Sequence, residues 1–185
     1  MKTQNSSLIV VFVAIFSIVA WSVLLYFVGA ERIVEYVGVR NGYLIMFLVS
    51  LFGGLSSLGG PTYVATAVTL AAGGLNPFTL ALFASAGTSV GDTVYFVASR
   101  SGGEYLVKQK AGKWLQRCAR WVTEKPKYVL WLFVYVYTAF TPFPNDVLTI
   151  SMGLTRQPYV LIITALAVGN FTFILLLGLF GVNVL

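Results

Sequence analysis

The chain has 185 residues, of which 58% are hydrophobic and 10% are charged, and its formal net charge is +6. Apolar runs of about 20 residues recur along its length, which excludes a water-soluble domain and predicts one compact all-α polytopic membrane domain. The sequence contains no histidine and one cysteine. This excludes a Ser-His dyad, an intrachain disulfide and almost any zinc site, so we expect no enzyme activity, no metal and no cofactor.

The positive charge is concentrated in one segment. Residues 100–127 hold eight of the twelve basic residues and two acidic ones, so this segment carries the whole net charge. The positive-inside rule then predicts that residues 100–127 and the N-terminus are cytoplasmic. A basic segment can also bind nucleic acid, but here aromatic residues interrupt the charge and apolar segments flank it, so we expect no nucleic-acid partner.

The first predicted elements are a transmembrane helix at 8–29 and a broken apolar region at 43–75. The second region is too long for one ordinary span and too short for two. Four glycines and a proline lie between Gly53 and Pro61, which breaks a helix. The pattern predicts a re-entrant helical hairpin that enters and leaves on one side of the membrane. A kinked helix followed by a loop is the alternative.

A second transmembrane helix is predicted at 77–99, with Pro77 at its first position. It carries Asp92, which lies about two turns before Arg100. Asp92 could therefore lie toward the cytoplasmic side rather than at the midplane, and an interfacial or packing acid is the alternative to a functional one.

Residues 103–122 have the periodicity of an amphipathic helix, with an apolar arc flanked by basic residues. Tryptophan together with lysine and arginine indicates a helix on an anionic cytoplasmic leaflet. A solvated linker helix fits equally well. The predicted membrane-surface contacts are Lys110, Lys113, Trp114, Arg117 and Trp121.

A second broken region follows at 128–154. Pro142 and Pro144 prevent a straight helix, and Asp146 follows directly. A carboxylate at bilayer depth costs roughly 2.5–3.5 kcal/mol, so it is seldom there without a role. The pattern predicts a second re-entrant hairpin, with Asn145 able to cap its second arm. A surface loop with a capping aspartate is the alternative. The last transmembrane helix is predicted at 159–184.

The two halves of the chain repeat one order of features: an apolar arm, a proline break, a second arm, a turn with proline and a long helix. Asp92 in the first long helix corresponds to Asn170 in the second. The number of predicted spans gives the second repeat the opposite membrane orientation to the first. Both broken tips are therefore expected to meet near the midplane, and the C-terminus is expected to lie outside. Discontinuous helices of this kind form transport sites, and their N-termini suit a phosphate. The candidate pathway residues are Asp146, Asp92, Asn145, Pro144, Pro142, Thr141, Pro61, Thr62, Arg156 and Asn170.

At these residues the chain resembles the DedA family, also called SNARE-associated or VTT-domain proteins. The resemblance covers about Tyr43 to Gly181. It is carried by Gly-Asp-x-x-Tyr-Phe-x-x-x-Arg-x-Gly-Gly at 91–103 and by Thr-Pro-x-Pro-Asn-Asp to Met-Gly-Leu at 141–154. The resemblance implies a prokaryotic cell membrane, paired re-entrant loops and transbilayer movement of lipids such as undecaprenyl phosphate or glycerophospholipids, with proton or sodium coupling.

The chain differs from that family pattern at both hairpins. Many members carry an acid near the first proline, where this chain has Ser56-Ser57-Leu58-Gly59-Gly60. Many also carry arginines around the second proline motif, where this chain has Thr138 to Thr141 and then Asp146. The remaining polar groups are Asp146, the helix N-termini and Arg156.

We therefore expect a lipid translocase or scramblase whose partners are membrane lipids, either monomeric or oligomeric. Asp146 would be a helix cap or a protonation site. A small-solute or ion secondary transporter on the same architecture is the first alternative. A membrane enzyme acting on lipids and a non-transporting structural protein are the others.

Overall fold

The computed structural model describes residues 35–54, 60–107, 126–141 and 145–184, and within these ranges the regular structure is entirely helical. The described helices are α1 (Val39–Gly54), α2 (Gly60–Ala72), α3 (Pro77–Val107), α4 (Lys127–Phe140), α5 (Asn145–Leu154) and α6 (Tyr159–Val184). The predicted first span at 8–29, the two prolines 142 and 144, and the five predicted membrane-surface contacts lie outside the described residues.

Helix α3 begins where the sequence predicts and ends later. The Asn76 side chain caps it, because its Oδ1 accepts hydrogen bonds from the backbone N–H groups of Phe78 (2.9 Å) and Thr79 (3.3 Å). The helix continues past Ser99 to Val107, so residues 103–107 extend α3 instead of starting a separate amphipathic helix. The glycine pair at 102–103 lies inside the helix. Such glycines weaken a helix by about 1 kcal/mol each without ending it.

Helices α1 and α2 form an antiparallel pair, because the start of α1 meets the end of α2. The Asn76 N–H donates a hydrogen bond to the Tyr43 hydroxyl over 3.1 Å. A Cβ on Gly42 would lie 2.7 Å from Leu75 Cδ2, so a side chain at this position would displace the end of Leu75. Both open ends of the pair therefore lie at one end of the molecule.

The second arms, α2 and α5, end in the same way. After α2, Gly74 N–H donates to Ala71 O and Leu75 N–H donates to Leu70 O. After α5, Arg156 N–H donates to Gly153 O and Gln157 N–H donates to Met152 O. Both are Schellman motifs, with Gly74 (φ +94°) and Arg156 (φ +55°) in the left-handed position.

The long helices α3 and α6 form the antiparallel centre of the fold. Ser85 Oγ donates to Ala167 O over 2.8 Å, and the Thr93 and Tyr159 hydroxyls lie 3.0 Å apart. Helix α1 packs on α3 and α4 packs on α6, whereas α2 packs on α6 and α5 packs on α3. The first helix of each half (α1 or α4) thus lies against the long helix of its own half (α3 or α6). The second helix of each half (α2 or α5) lies against the long helix of the other half.

Two apolar cores fill opposite ends of this bundle. The first joins α1, α2, the first half of α3 and the second half of α6, and includes Met46, Leu70, Leu80 and Ile174. The second joins α4, α5, the second half of α3 and the first half of α6, and includes Phe96, Val134, Met152, Ile162 and Leu166. Among the described helices, two are long and apolar enough to cross a membrane: Pro77–Ser101 within α3 and Tyr159–Phe180 within α6.

Candidate functional site

A network of buried polar side chains lies between the two apolar cores. Asp92 of α3 is 2% exposed and accepts two hydrogen bonds, from Asn170 Nδ2 of α6 (3.3 Å, to Oδ2) and from Thr149 Oγ1 of α5 (3.4 Å, to Oδ1). Asn170 Oδ1 in turn accepts a hydrogen bond from Asn145 Nδ2 at the start of α5, over 2.9 Å. The network joins both long helices to the first turns of α5.

The second carboxylate of the site is Asp146. It lies in the first turn of α5, is 9% exposed and interacts electrostatically with Asp92. It also interacts electrostatically with Tyr95 of α3 and Tyr137 of α4. Two buried carboxylates in one site repel each other when both are ionised.

The first turn of α2 brings Tyr63 to the same place. Its side chain is 7% exposed, and its hydroxyl interacts electrostatically with Asp92. Within the part of the chain that the structure describes, the Tyr63 hydroxyl has no hydrogen-bond partner, and neither has the buried hydroxyl of Thr138 in α4. A buried polar group without a partner costs about 1–3 kcal/mol, so these two hydroxyls are unfavourable where they lie.

These residues lie at the middle of the bundle. Asn170 is near the centre of Tyr159–Phe180, about 16 Å along the helix from either end. Because Asp92 is hydrogen bonded to Asn170, it lies level with the middle of α6. The sequence leaves the membrane depth of Asp92 open, since Arg100 follows two turns later; in the structure Asp92 bonds to Asn170 near the middle of α6.

The structure brings together four of the predicted pathway residues: Asp92, Asp146, Asn145 and Asn170. Asn145 differs from expectation in one respect, because its side chain bonds to Asn170 rather than capping its own helix. Inside a helix that begins at Asn145, the side chain is already too far along to cap the first turn.

The other predicted pathway residues lie apart from this network. Thr141 ends α4, and its Oγ1 donates to Tyr137 O over 2.6 Å. Thr62 is exposed, and Arg156 is exposed in the turn after α5. Pro61 lies in the first turn of α2, a position that suits proline.

Sequence reasoning missed Thr149, Tyr63, Tyr95 and Tyr137. Thr149 follows Asn145 by four residues and Asp146 by three, so helical periodicity places it on the same face. That signal was available, because the second arm was predicted to be a helix. The tyrosines carried no such signal, since aromatic residues are frequent throughout the chain and only the packing of α2, α3 and α4 selects these three.

The side chains of the site are polar or acidic. The described residues include no group of three or more His, Cys, Asp or Glu side chains arranged to hold a metal ion. Asp92 accepts hydrogen bonds from Thr149 and Asn170, and the Asn170 oxygen accepts one from Asn145. The site therefore combines two carboxylates with amide and hydroxyl groups.

Comparison with known proteins identifies no relative. No family model matches the chain, and neither a curated protein nor a solved structure does.

Proposed function

We propose that this protein is an integral membrane protein that moves lipids between the two leaflets of a bilayer, and that it is a member of the DedA family. The observation that carries the proposal is the polar site between the two apolar cores. There the first turns of α2 and α5 meet the middles of α3 and α6, the two helices with the length and apolarity of membrane spans. Helix starts buried at that depth are a feature of transport sites.

The packing of the bundle supports an inverted repeat. Helices α1 and α4 each pack on the long helix of their own half, whereas α2 and α5 each pack on the long helix of the other half. These four contacts are the same when the two halves are interchanged. Both second arms end in the same Schellman motif. Asp92 and Asn170, which correspond in the two halves, bond to each other at the centre. A two-fold relation of this kind presents one site alternately to the two sides of a membrane.

The distribution of hydroxyl groups favours a lipid over a hydrated solute. Many serine and threonine side chains bond to carbonyls of their own helices and so offer little to water; these include Ser50, Thr66, Thr88, Ser89, Ser151 and Thr172. Among the described residues, the two buried carboxylates, Asp92 and Asp146, both lie at the central site. A lipid needs such a site for its head group alone, because its acyl chains stay in the hydrocarbon. A solute or ion transporter needs polar groups along its whole path.

The test uses purified protein in vesicles that carry a lipid with a fluorescent acyl chain in both leaflets. A membrane-impermeant reductant destroys the outer-leaflet signal, and movement of lipid across the bilayer makes the remaining signal accessible. We expect protein-dependent loss of the protected signal, slowed at least about tenfold by Asp92→Asn, the factor that one lost charge-assisted hydrogen bond represents. Glu35→Gln, which removes an exposed acid far along the chain from the site, should leave the rate unchanged.

Equal rates in protein-containing and empty vesicles, for every lipid class tried, would overturn the proposal. Asp92→Asn with an unchanged rate would remove the central site from the mechanism. Uptake of a small solute without any lipid movement would favour the secondary-transporter alternative.

A further inference from the structure

Two arginines lie next to the same helix contact at one end of the bundle. Helix α5 packs closely on α3 at Gly153, where a Cβ would lie 2.6 Å from Phe96 O and 3.2 Å from Ser99 Cβ. Arg100 directly follows Ser99 in α3. Arg156 follows Gly153 by one tight turn, because its N–H donates to Gly153 O over 3.0 Å. Both residues are exposed, so this arginine pair presents two guanidinium groups beside the α3–α5 contact.

The arginine pair lies at the boundary of the two apolar spans. The span in α3 ends at Ser101, and the span in α6 begins at Tyr159. The Phe96 and Tyr159 rings pack edge to face with their centroids 5.6 Å apart, so the two boundaries lie within about two helical turns of each other. In an integral membrane protein, the end of an apolar span lies at the level of the lipid head groups. Arg100 and Arg156 are therefore at the depth of a lipid phosphate.

The charge at this end of the bundle is positive. Lys127, exposed at the start of α4, adds a third basic side chain to the arginine pair. Glu104 in α3 is the one acidic residue that the structure describes at this end. At the other end, the described charged residues are Glu35 and Arg40, whose charges cancel. An anionic partner is therefore attracted to the end that carries the arginine pair.

The backbone of Arg156 indicates that its side chain contributes something that glycine cannot. Arg156 has φ +55°, at the Schellman position where the first half of the chain has Gly74 with φ +94°. Glycine adopts this conformation freely, whereas a residue with a Cβ is strained in it. A cation near the end of α5 also stabilises the helix dipole, but any position in the last turn would supply that without strain. The strain therefore favours a role for a guanidinium at this particular place.

We propose that Arg100 and Arg156 bind the phosphate of an anionic phospholipid that remains in the leaflet at this end of the bundle. This inference rests on the membrane insertion proposed above, and it does not depend on lipid movement. A guanidinium donates two parallel hydrogen bonds to one phosphate, so the pair recognises the head group by geometry as well as by charge. Tyr159 and Val160, which are 38% and 69% exposed at the start of α6, offer an apolar surface to the acyl chains. A lipid therefore fits this surface better than a free phosphate does.

The experiment counts bound lipids by native mass spectrometry of the purified full-length protein in detergent. The protein is titrated with phosphatidylglycerol or with phosphatidylcholine of the same acyl chains. We expect the first phosphatidylglycerol to bind at least about tenfold more tightly than phosphatidylcholine, as one charge-assisted contact predicts. Arg100→Gln and Arg156→Gly should each reduce that ratio toward one. Arg40→Gln, which removes an exposed cation at the other end of the bundle, should leave it unchanged.

The Arg156→Gly variant separates lipid binding from a structural role. Glycine relieves the strained backbone, so this variant should unfold no more easily than wild type while it binds phosphatidylglycerol more weakly. Unchanged phosphatidylglycerol binding by Arg156→Gly would overturn the inference.

Three further results would also overturn it, and none depends on lipid movement. Equal binding of the two lipids by the wild-type protein would remove the anionic preference. A loss with Arg40→Gln as large as that with Arg100→Gln would show that the binding follows net charge and not this site. Displacement of phosphatidylglycerol by an equal concentration of glycerol phosphate would assign the arginine pair to a soluble phosphate. The vesicle assay tests the proposed function separately, because lipid can bind here whether or not any lipid crosses the bilayer.

Discussion

The two helix pairs, α1 with α2 and α4 with α5, differ in what the second helix of each pair brings to the centre of the bundle. The first turn of α2 contributes Tyr63, whose hydroxyl has no partner among the described residues. The first turns of α5 contribute Asn145, Asp146 and Thr149, of which Asn145 and Thr149 bond directly to Asn170 and Asp92. Helix α5 therefore brings more polar side chains to the centre than helix α2 does.

Substitutions of the glycines that contact α1 and α4 test the packing of these two helices. They should cause the largest loss in the free energy of unfolding. A Cβ on Gly87 would lie against Phe47 O and 2.9 Å from Ser50 Cβ, and a Cβ on Gly169 would lie 2.6 Å from Thr138 Cβ. Gly87→Val and Gly169→Val should each lower the free energy of unfolding by about 3 kcal/mol, because the obstacles include backbone atoms that cannot yield easily. Unfolding in detergent micelles with increasing sodium dodecyl sulfate measures this.

The matched control for both is Ala98→Val, which adds similar volume at an exposed position of α3. It should change stability by less than about 0.5 kcal/mol. Loss of stability at one glycine only would show that the two first arms are not held in equivalent ways.

Asn170→Leu tests the hydrogen bonds that connect α5 to the two long helices. The substitution removes the hydrogen bonds to Asp92 and from Asn145 while keeping a similar volume. We expect a loss of about 1–2 kcal/mol in the same unfolding assay, because Asn145 and Asp92 each lose a buried partner. Asn170→Gln serves as the control, since it retains an amide. A fully stable Asn170→Leu protein would mean that the network is not formed.

Substitutions at the two Schellman turns should change the free energy of unfolding in opposite directions. Gly74→Ala places a Cβ at φ +94° and should cost about 1 kcal/mol, whereas Arg156→Gly relieves the same position at the end of α5 and should stabilise by about 0.5–1 kcal/mol. Arg156→Ala separates backbone from charge, because it removes the guanidinium and keeps a Cβ. If Arg156→Ala stabilised as much as Arg156→Gly, charge rather than the backbone conformation would be the cause.

Tyr63→Phe should have the smallest effect on stability. Its hydroxyl is buried without a described partner, so removing it should leave the free energy of unfolding within about 1 kcal/mol of wild type or raise it. The same substitution should slow lipid movement, because the hydroxyl lies in the proposed head-group site. A clear loss of stability would show that the hydroxyl already has a structural partner.

Much of the helical plan can be predicted from the sequence, because prolines and glycines punctuate it. Pro77 starts α3, Gly153-Leu154 ends α5, and α6 covers the residues expected for the last helix. The end of α3 was predicted too early, since Gly102-Gly103 stays within the helix. Local sequence alone does not decide whether a glycine pair ends a helix.

The candidate site was predictable only in part. Asp92, Asp146, Asn145 and Asn170 stand out because polar groups are rare in apolar helices. The positions of Tyr63 and Asp92 at the centre of the bundle depend on how α2 and α6 pack near α3. No local sequence pattern predicts that packing. Thr62 is a predicted pathway residue, but the helical phase of α2 turns it outward and turns its neighbour Tyr63 into the bundle.

The central claim is that the two pairs enter the membrane from opposite faces, and cysteine accessibility tests it most directly. With Cys118 replaced by serine, single cysteines at the exposed positions Tyr36 and Phe78 mark the open end of the first pair, and Tyr128 and Val160 mark that of the second. In intact cells, we predict that an impermeant thiol reagent labels the cysteines at 36 and 78 but reaches those at 128 and 160 only after permeabilisation. Labelling of all four from one side, or different sides within a pair, would contradict the inverted arrangement.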